Sequence, residues 1–225
     1  MIGSTNKIEC YLDKLFPDAR CELIYNKDYE LLLATMLSAQ TMDKRVNMVT
    51  AVLFKKYPTI FDLAKADIND IKKIIRPLGN FNVKAYNVLG IAKSLVNDKN
   101  GVLPNDREYL ESLPGVGRKT ANVVLSNIFN VPCIAVDTHV TRVSKRLGLT
   151  LDNDNVITIE KKLNDLFDKD NLCKIHHQLV LFGRYYCLAR NPKCETCELK
   201  DLCRFKKWDF SLISFYLYFL VLYHW

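Results

Sequence analysis

The sequence predicts an all-α fold. Apolar residues recur every three or four positions along most of the chain, which is the spacing of one helix face. Proline, glycine or short polar segments interrupt these patterns, and no segment alternates apolar and polar residues as a half-buried strand does. The chain has 225 residues, 49% hydrophobic and 25% charged, with no internal repeat or low-complexity linker. It is therefore long enough for one large helical domain or two small ones, each with a core.

Three helices are predicted in the first sixty residues. The first ends at Pro17, the second runs from Asp28 to the polar segment 38–41, and the third runs from Asp43 to Pro58. Asp28 suits a helix N-cap, because its carboxylate can accept a hydrogen bond from a free amide of the first turn. The expected core positions of these helices are Ile8, Leu12, Leu15, Phe16, Leu32, Leu33, Met36, Leu37, Val46, Val49 and Leu53.

Eight further helices are predicted in the rest of the chain. Pro77 with Gly79 and Val131 with Pro132 interrupt the helical pattern, and Gly148 suits a helix C-terminus because glycine tolerates the left-handed backbone found there. Asp137 and Thr138 suit the start of the helix that Gly148 ends. These helices are expected over residues 61–64, 68–75, 83–96, 106–112, 121–128, 138–147, 156–167 and 172–186.

The segment from Leu113 to Ala121, LPGVGRKTA, forms a turn between two of these helices. Pro114 ends the first helix, while Gly115 and Gly117 are expected to allow positive φ and to leave the outer backbone bare. Bare amides at a helix N-terminus favour an anion such as a DNA phosphate, and Lys119 follows in the first helical turn. An ordinary turn with a solvated lysine fits the same residues. The choice between an anion-binding turn and an ordinary one therefore depends on the rest of the chain.

Charge favours an anionic partner. The formal net charge is +7, and residues 117–146 carry five basic residues against one acidic residue, Asp137. The N-terminus lacks the basic region and apolar run of a signal peptide, so an intracellular protein is expected. The eight cysteines are then expected to be thiols or metal ligands rather than disulfides.

Four cysteines, Cys187, Cys194, Cys197 and Cys203, follow the last helix with the spacing C-x6-C-x2-C-x5-C. Four thiolates this close in a loop with little core of its own indicate a metal centre. Zinc sites with four cysteines usually contain two tight pairs, whereas only one pair is tight here, so a [4Fe-4S] cluster is favoured over zinc. A redox-carrier role is less favoured, because no second cluster or flavin motif is present. The basic residues around the loop, among them Arg190 and Lys193, suit contact with phosphates.

Four motifs together resemble the endonuclease III family of DNA glycosylases. They are LSAQTMD, LPGVGRKTANVVL, AVDTHVTRV and the cysteine loop, in the family's order and spacing, and the resemblance covers residues 7–207. It implies a two-domain helix-hairpin-helix glycosylase fold, with a six-helix domain over residues 21–131. Residues 1–20 and 132–207 would form the iron-sulfur cluster domain. Residues 208–225 would be an apolar tail.

The resemblance also implies an activity and the residues that carry it. The family removes oxidised pyrimidines from double-stranded DNA and nicks the resulting abasic site. Lys119 would be the nucleophile, attacking once the damaged base has been rotated out of the duplex, and Asp137 would be its acidic partner. The positive potential of Arg118 and Arg142 should favour an uncharged Lys119. Asp137 also suits a plain N-cap, and the two roles are compatible.

The remaining implied contacts are with DNA. Gln40 would fill the space left by the rotated nucleotide, and Asn80 stands where the family often has an apolar wedge, which leaves the opposite-base preference undefined. Gly115, Gly117, Arg118, Arg142, Arg190 and Lys193 would contact phosphates. Double-stranded DNA is the expected partner, a [4Fe-4S] cluster the expected cofactor, and a monomer without a stable protein partner the expected state.

Two alternatives for the function remain, and so does the status of the tail. An adenine-mismatch glycosylase shares the fold but lacks the lyase lysine and carries a further domain, whereas a non-catalytic module would only grip DNA. The tail 210–225, FSLISFYLYFLVLYHW, is shorter than the ~20 residues that span a bilayer. It suits a packed helix, a membrane contact or, as the favoured interpretation, sequence unrelated to the fold.

Overall fold

The computed structural model describes residues 2–205, in which it contains helices and no strand. This confirms the all-α fold. Its eleven α-helices are α1 Ile2–Leu15, α2 Asp28–Leu37, α3 Asp43–Lys56, α4 Ile60–Ala64, α5 Ile68–Ile75, α6 Phe81–Lys99, α7 Arg107–Ser112, α8 Arg118–Ile128, α9 Thr138–Arg146, α10 Val156–Leu166 and α11 Leu172–Tyr185. A short 3-10 helix, Lys169–Asn171, precedes α11. The predicted tail, residues 208–225, lies outside the described residues.

Side-chain caps explain where several helices begin. Thr59, Asp67, Asp106, Asp137 and Asn155 each accept a hydrogen bond from an amide in the first turn of the following helix. The prediction that Asp28 is a cap was wrong. Lys27 occupies the cap position of α2, and the carboxylate of Glu30 accepts from its amide instead.

α6 is longer than the predicted segment 83–96 at both ends. Asn80 and Asn100 flank it in the left-handed conformation, with φ of 56° and 50°. Asparagine tolerates this conformation better than most residues, so it ends a helix without a glycine. The polar residues Asn97 to Lys99 therefore extend the helix rather than ending it.

The buried side chains form two clusters. The first contains apolar residues of α2 to α8, and the second contains residues of α1, α9, α10, α11 and the cysteine loop. Cys133 belongs to the first cluster and Ile134 to the second, close to the predicted boundary at residue 131. The domain division itself stays a prediction, and the two clusters are the observation that supports it.

The predicted hairpin joins α7 to α8. Val116 is buried in the first cluster, and its amide donates to the carbonyl of Leu113 at 3.1 Å, which closes the turn. Gly115 has the expected positive φ, 75°, and a Cβ there would collide with the Asn87 amide. The expectation for Gly117 was wrong, because its φ of −103° is open to any residue.

None of the helices within residues 2–205 is long and apolar enough to cross a membrane.

Candidate active site and cysteine cluster

Lys119 and Asp137 line the same cavity, which lies where helices of the two buried clusters meet. Lys119 is the second residue of α8, two positions after the N-cap Gly117. Asp137 is the N-cap of α9. The other residues lining the cavity are Arg20, Cys21, Glu22, Leu23, Thr35, Ser38, Asp43, Val123, His176, His177, Val180, Leu181 and Arg184. An amine and a carboxylate therefore line one cavity, as a lysine nucleophile with an acidic partner requires.

The cap fixes the carboxylate of Asp137. Its Oδ1 atom accepts hydrogen bonds from the amides of His139 and Val140, both at 2.8 Å. These two bonds hold the side chain in one orientation and leave Oδ2 available for a second partner. The N-cap interpretation and the catalytic interpretation of Asp137 are thus compatible in one geometry.

The cavity continues into a larger groove on the surface. Glu22, Asp43 and Arg184 line both spaces. Arg184 pairs with Asp43 at 2.8 Å and also with Glu22. Ion pairs therefore connect the charged residues that line both spaces. Gln40 and His139 lie along the groove beyond them. The groove at Gln40 and the cavity of Lys119 are therefore neighbours, with the ion pairs of Arg184 at their boundary.

Gln40 and Asn80 are both exposed and both have a φ of 56°. Gln40 lies in the turn between α2 and α3, and Asn80 directly precedes α6. A left-handed residue projects its side chain out of the regular path of the helix. Their positions suit side chains that enter a duplex, and the roles themselves stay predictions.

The two arginines that were expected to act on Lys119, Arg118 and Arg142, both bind other groups. Arg118 donates from Nε and Nη2 to the Glu160 carboxylate, at 2.8 and 2.9 Å. The Glu160 side chain is only 7% exposed, so the pair neutralises much of the charge of Arg118. Arg142 donates to the carbonyls of Gly183, at 2.7 Å, and Cys187, at 3.2 Å. The expected positive potential from these side chains at Lys119 is therefore reduced.

The hairpin exposes backbone where an anion would bind. Among the described residues, no carbonyl accepts a hydrogen bond from the amides of Gly115 or Gly117. A Cβ added at Gly117 would meet open space, so no protein atom requires a glycine there. The bare amides at the N-terminus of α8 suit an incoming phosphate, which supports the phosphate contacts expected for both glycines.

Sequence reasoning missed two histidines of α11 that line the cavity. His176 and His177 are 3% and 7% exposed. Burial lowers the pKa of His176 well below its usual value, and the positive charges of His177 and Lys119 lower it further. Burial also lowers the pKa of His177, to about 4, and its Nε2 lies 2.9 Å from the Asn127 amide oxygen. A histidine pair inside an apolar helix was the available sequence signal.

Cys21, a cysteine outside the four-cysteine motif, also lines the cavity. Burial raises the pKa of Cys21 to about 11. Its thiol therefore stays protonated and cannot compete with Lys119 as a nucleophile. None of the eight cysteines, all of which lie within the described residues, forms a disulfide.

The four clustered cysteines surround a second cavity, at the end of α11. Cys187, Cys194, Cys197 and Cys203 line it together with apolar and basic residues. Arg146 anchors the loop, because its guanidinium donates to Leu188 O at 2.7 Å and lies 3.4 Å from Cys187 Sγ. The loop is thus attached to α9, the helix that Asp137 caps.

The donor set of this cavity fits a polynuclear iron-sulfur group. Burial raises the pKa of the Cys197 and Cys203 thiols, and neighbouring thiolates raise it further. Four thiolates held together therefore require a cationic centre. Four cysteines spread around one cavity suit a [4Fe-4S] cluster better than one zinc ion.

Arg190 and Lys193 are both exposed on this loop. The amine of Lys193 lies over the ring of Tyr186, 5.8 Å from its centre. Both cations therefore face solvent at the same end of the molecule as the cysteines, which supports their expected contact with phosphates.

Two family models match the chain. The model described as HhH-GPD superfamily base excision DNA repair protein matches residues 33–169, more than half of the sequence. That range contains α8, with Lys119, and the cap Asp137. The model of the iron-sulfur binding domain of endonuclease III matches residues 187–203, which are the limits of the cysteine motif.

Several known proteins are similar over nearly their whole length. Endonuclease III of Bacillus subtilis is 46% identical over 201 residues, covering 88% of this chain and 92% of that protein. Endonuclease III of Escherichia coli is 41% identical, covering 85% and 90%. A solved structure described as a trapped endonuclease III–DNA covalent intermediate aligns with a TM-score of 0.86 and 45% identity, covering 91% and 96%. A thermostable thymine-DNA glycosylase aligns with a TM-score of 0.78 and 26% identity, covering 89% and 97%.

Proposed function

The chain belongs to the endonuclease III family of base excision DNA repair proteins, and from this premise we propose that Lys119 and Asp137 carry out its reaction. The protein is a DNA glycosylase and abasic-site lyase that contains a [4Fe-4S] cluster. We propose oxidised pyrimidines in double-stranded DNA as its substrates. The observation that carries the residue assignment is the shared cavity of Lys119 and Asp137, with the groove at Gln40 beside it.

The first half of the reaction joins enzyme and sugar. The damaged nucleotide rotates out of the duplex and enters through the groove. The neutral amine of Lys119 attacks the sugar C1′, the bond from C1′ to the base breaks, and the base leaves with that electron pair and takes a proton. The Asp137 carboxylate stabilises the positive charge that develops on the sugar.

The second half cuts the strand. The bond between C1′ and the ring oxygen opens, the oxygen takes a proton, and a protonated Schiff base remains on Lys119. Loss of a proton from C2′ then breaks the C3′–oxygen bond and expels the 3′ phosphate. Water hydrolyses the Schiff base and frees the amine. Asp137, held by its cap bonds, is placed to accept and return protons in these steps.

The remaining predicted residues bind rather than react. We propose that Gln40 and Asn80 occupy the opened base stack, and that the hairpin amides of Gly115 and Gly117 bind a phosphate. We propose Arg142, Arg190 and Lys193 as further phosphate contacts, and Arg118 as a weaker one because it pairs with Glu160. When bound, the cluster ties Cys187, Cys194, Cys197 and Cys203 together and holds their loop. We also propose that the protein is intracellular, that it is a monomer and that it acts on cellular DNA.

Borohydride trapping tests the residue assignment. Wild-type protein incubated with duplex carrying thymine glycol and reduced should give a covalent protein–DNA adduct, because borohydride reduces a Schiff base to a stable amine. Lys119→Gln should lower adduct formation and strand cleavage at least about 10³-fold. Lys93→Gln, on the exposed side of α6, is the matched control and should trap normally.

Different outcomes favour the alternatives. Steeply salt-dependent binding without cleavage of any lesion would indicate a DNA-binding module. Release of adenine from a mispair with 8-oxoguanine, without an adduct, would indicate an adenine-mismatch glycosylase. An equal adduct yield from Lys119→Gln would disprove Lys119 as the nucleophile.

A further inference from the structure

Lys84 is a buried amine behind the turn that carries Gln40. It lies in the first turn of α6 and is 6% exposed. Its Nζ donates to the carbonyls of Leu37 at 2.9 Å and Ala39 at 2.7 Å, and lies 3.3 Å from Thr41 Oγ1. All three acceptors belong to the connection between α2 and α3, so one side chain uses all its donors on one short segment.

Packing alone does not explain an ammonium group at this position. Burial lowers the pKa of Lys84, and no carboxylate of the described residues offsets that effect. A methionine would fill similar space without losing the hydration of a charge. The compensation comes from backbone carbonyls at the C-terminal end of α2, where the helix dipole is negative. The amine therefore serves to hold this segment.

The held segment borders both parts of the active site. Ser38 lines the cavity of Lys119, while Gln40 and Thr41 line the groove outside it. Main-chain bonds tie Ser38 back to α2, and the Thr41 amide donates to Ser38 O at 3.0 Å, but no main-chain hydrogen bond is observed at the Gln40 amide within the described residues. Gln40 is exposed with a left-handed backbone, so its direction depends on how firmly its neighbours are held.

Lys84 also connects this segment to Asn80. Its backbone amide donates to the carbonyl of Asn80 at 3.1 Å, in the first turn of α6. One residue thus holds the Gln40 turn through its side chain and the Asn80 turn through its main chain. We infer that Lys84 is a positioning residue, which fixes Gln40 relative to Asn80 and the Lys119 cavity so that a duplex is opened beside the nucleophile. This inference rests on the proposed function.

A double-mutant cycle between Lys84 and Gln40 tests the inference. Single-turnover base release from duplex with thymine glycol is measured for wild type, Lys84→Met, Gln40→Ala and the double variant. Lys84→Met should slow release about tenfold or more, because small misplacements of a positioned group are costly. In the Gln40→Ala background the same change should cost less than about twofold, because Lys84 acts through Gln40. Lys93→Met, exposed on the same helix, is the matched control and should behave as wild type.

Two further measurements separate positioning from general damage. Amide hydrogen exchange of residues 38–41 should be faster in Lys84→Met, while exchange in α9 and α11 stays as in wild type. Affinity for undamaged duplex should stay within about twofold, because a buried amine contributes little to the contacts that set salt-dependent binding. If Lys84→Met does not fold, Lys84→Gln, which keeps two donors, replaces it in the same cycle.

The outcomes are distinguishable from failure of the proposed function. If wild type releases no base, the proposed function fails, and the exchange experiment still tests whether Lys84 holds the turn. If wild type is active but Lys84→Met is equally active, the inference is wrong. It is also wrong if the loss from Lys84→Met is as large without Gln40 as with it, or if residues 38–41 exchange at the wild-type rate.

Discussion

Single side chains at the site combine a structural bond with a proposed chemical role. Asp137 uses Oδ1 to cap α9, which leaves Oδ2 for the proton transfers that we propose. Arg118 pairs with the buried Glu160, whereas its neighbour Lys119 lines the cavity. A substitution at one of these positions is therefore informative when it keeps the structural hydrogen bond and removes only the proposed chemical role.

Replacing Asp137 by asparagine separates the cap from the catalysis. The asparagine oxygen still accepts from the amides of His139 and Val140, so stability should fall by less than about 1 kcal/mol. Base release should slow on the order of 10²-fold, because the amide carries no negative charge and accepts no proton. Thermal unfolding and single-turnover kinetics measure the two effects.

Asp67→Asn is the control for that experiment. Asp67 caps α5 through the amides of Asn69 and Asp70, and it does not line the cavity. The same chemical change should leave its activity at the wild-type level. An equal slowing in both variants would contradict a catalytic role for Asp137.

The lowered pKa of His177 predicts that the folded protein loses stability in acid. Its pKa falls from 6.5 in the unfolded chain to about 4 in the native protein, because burial disfavours the charged ring. The unfolded state therefore binds the proton first, so this contribution is complete above pH 6.5 and is lost as pH falls toward 4. The loss should be about 1.4 kcal/mol for each pH unit in that window.

Thermal unfolding of the protein at about pH 7.5 and about pH 5.5 measures this slope. His177→Gln keeps a donor for Asn127 but does not titrate, so its stability should depend less on pH. Burial also lowers the pKa of His176, so His176 adds to the pH dependence of stability in the same direction in both proteins. Identical slopes for the two proteins would show that His177 is not protonated on unfolding in this range.

At the scale of elements, the hairpin and the helix that follows it form one unit. The turn closes through the Val116 amide, and α8 then carries Lys119 into the cavity and Arg118 to α10. The pair of Arg118 and Glu160 joins a helix of the first buried cluster to one of the second. The orientation of Lys119, the proposed nucleophile, is therefore set by α8, which the hairpin holds at its start and the Arg118–Glu160 pair holds to α10.

The two hairpin glycines should respond differently to alanine. Gly115→Ala should lower the free energy of unfolding by about 1–3 kcal/mol, because a positive φ strains alanine and its Cβ meets Asn87. Gly117→Ala should cost less than about 1 kcal/mol, since its backbone is extended and the space around it is open. It should nevertheless weaken DNA binding about tenfold, because a methyl group stands where the phosphate approaches.

Thermal unfolding and duplex affinity at fixed salt measure both variants. For stability, each glycine serves as the control for the other, because the substitution is the same and only Gly115 has a positive φ. Unchanged DNA affinity in Gly117→Ala would contradict phosphate binding at the hairpin amides.

At the scale of the whole molecule, the reaction site lies between two buried clusters and the cysteine loop stabilises only one of them. Cys187 and Cys197 pack against the second cluster. Tyr11 of α1 donates to Thr196 O at 3.3 Å, which ties the loop to the opposite end of the chain. Loss of the loop should therefore disturb the second cluster first.

Cys197→Ser tests this consequence. Without one of its four thiolates the cluster should be lost or weakened, visible as loss of brown colour. Exchange of amides in residues 187–205 and α1 should increase, α2 to α6 should stay protected, and duplex affinity should fall about tenfold. Cys10→Ser, an exposed cysteine outside the motif, is the matched control. Full DNA affinity with a protected loop would show that the cluster does not organise a phosphate-binding surface.

The sequence determined the helices, the turn at Gly115 and the cysteine motif, and it placed Lys119 at the start of α8. These features depend on residues that are neighbours along the chain, where spacing and backbone preference act directly. It missed the left-handed caps Asn80 and Asn100, and it assigned Gly117 a positive φ, because asparagine and glycine both suit several conformations.

Only the tertiary structure decided what surrounds Lys119. His176 and Arg184 reach the cavity from α11, Arg118 turns to Glu160, and Lys84 holds the Gln40 turn across more than forty residues. Such pairings depend on how the faces of packed helices meet, and a helical pattern shows which face is buried without showing its partner. The order of residues therefore determined the identity of the proposed reacting groups, and the packing of helices determined their surroundings.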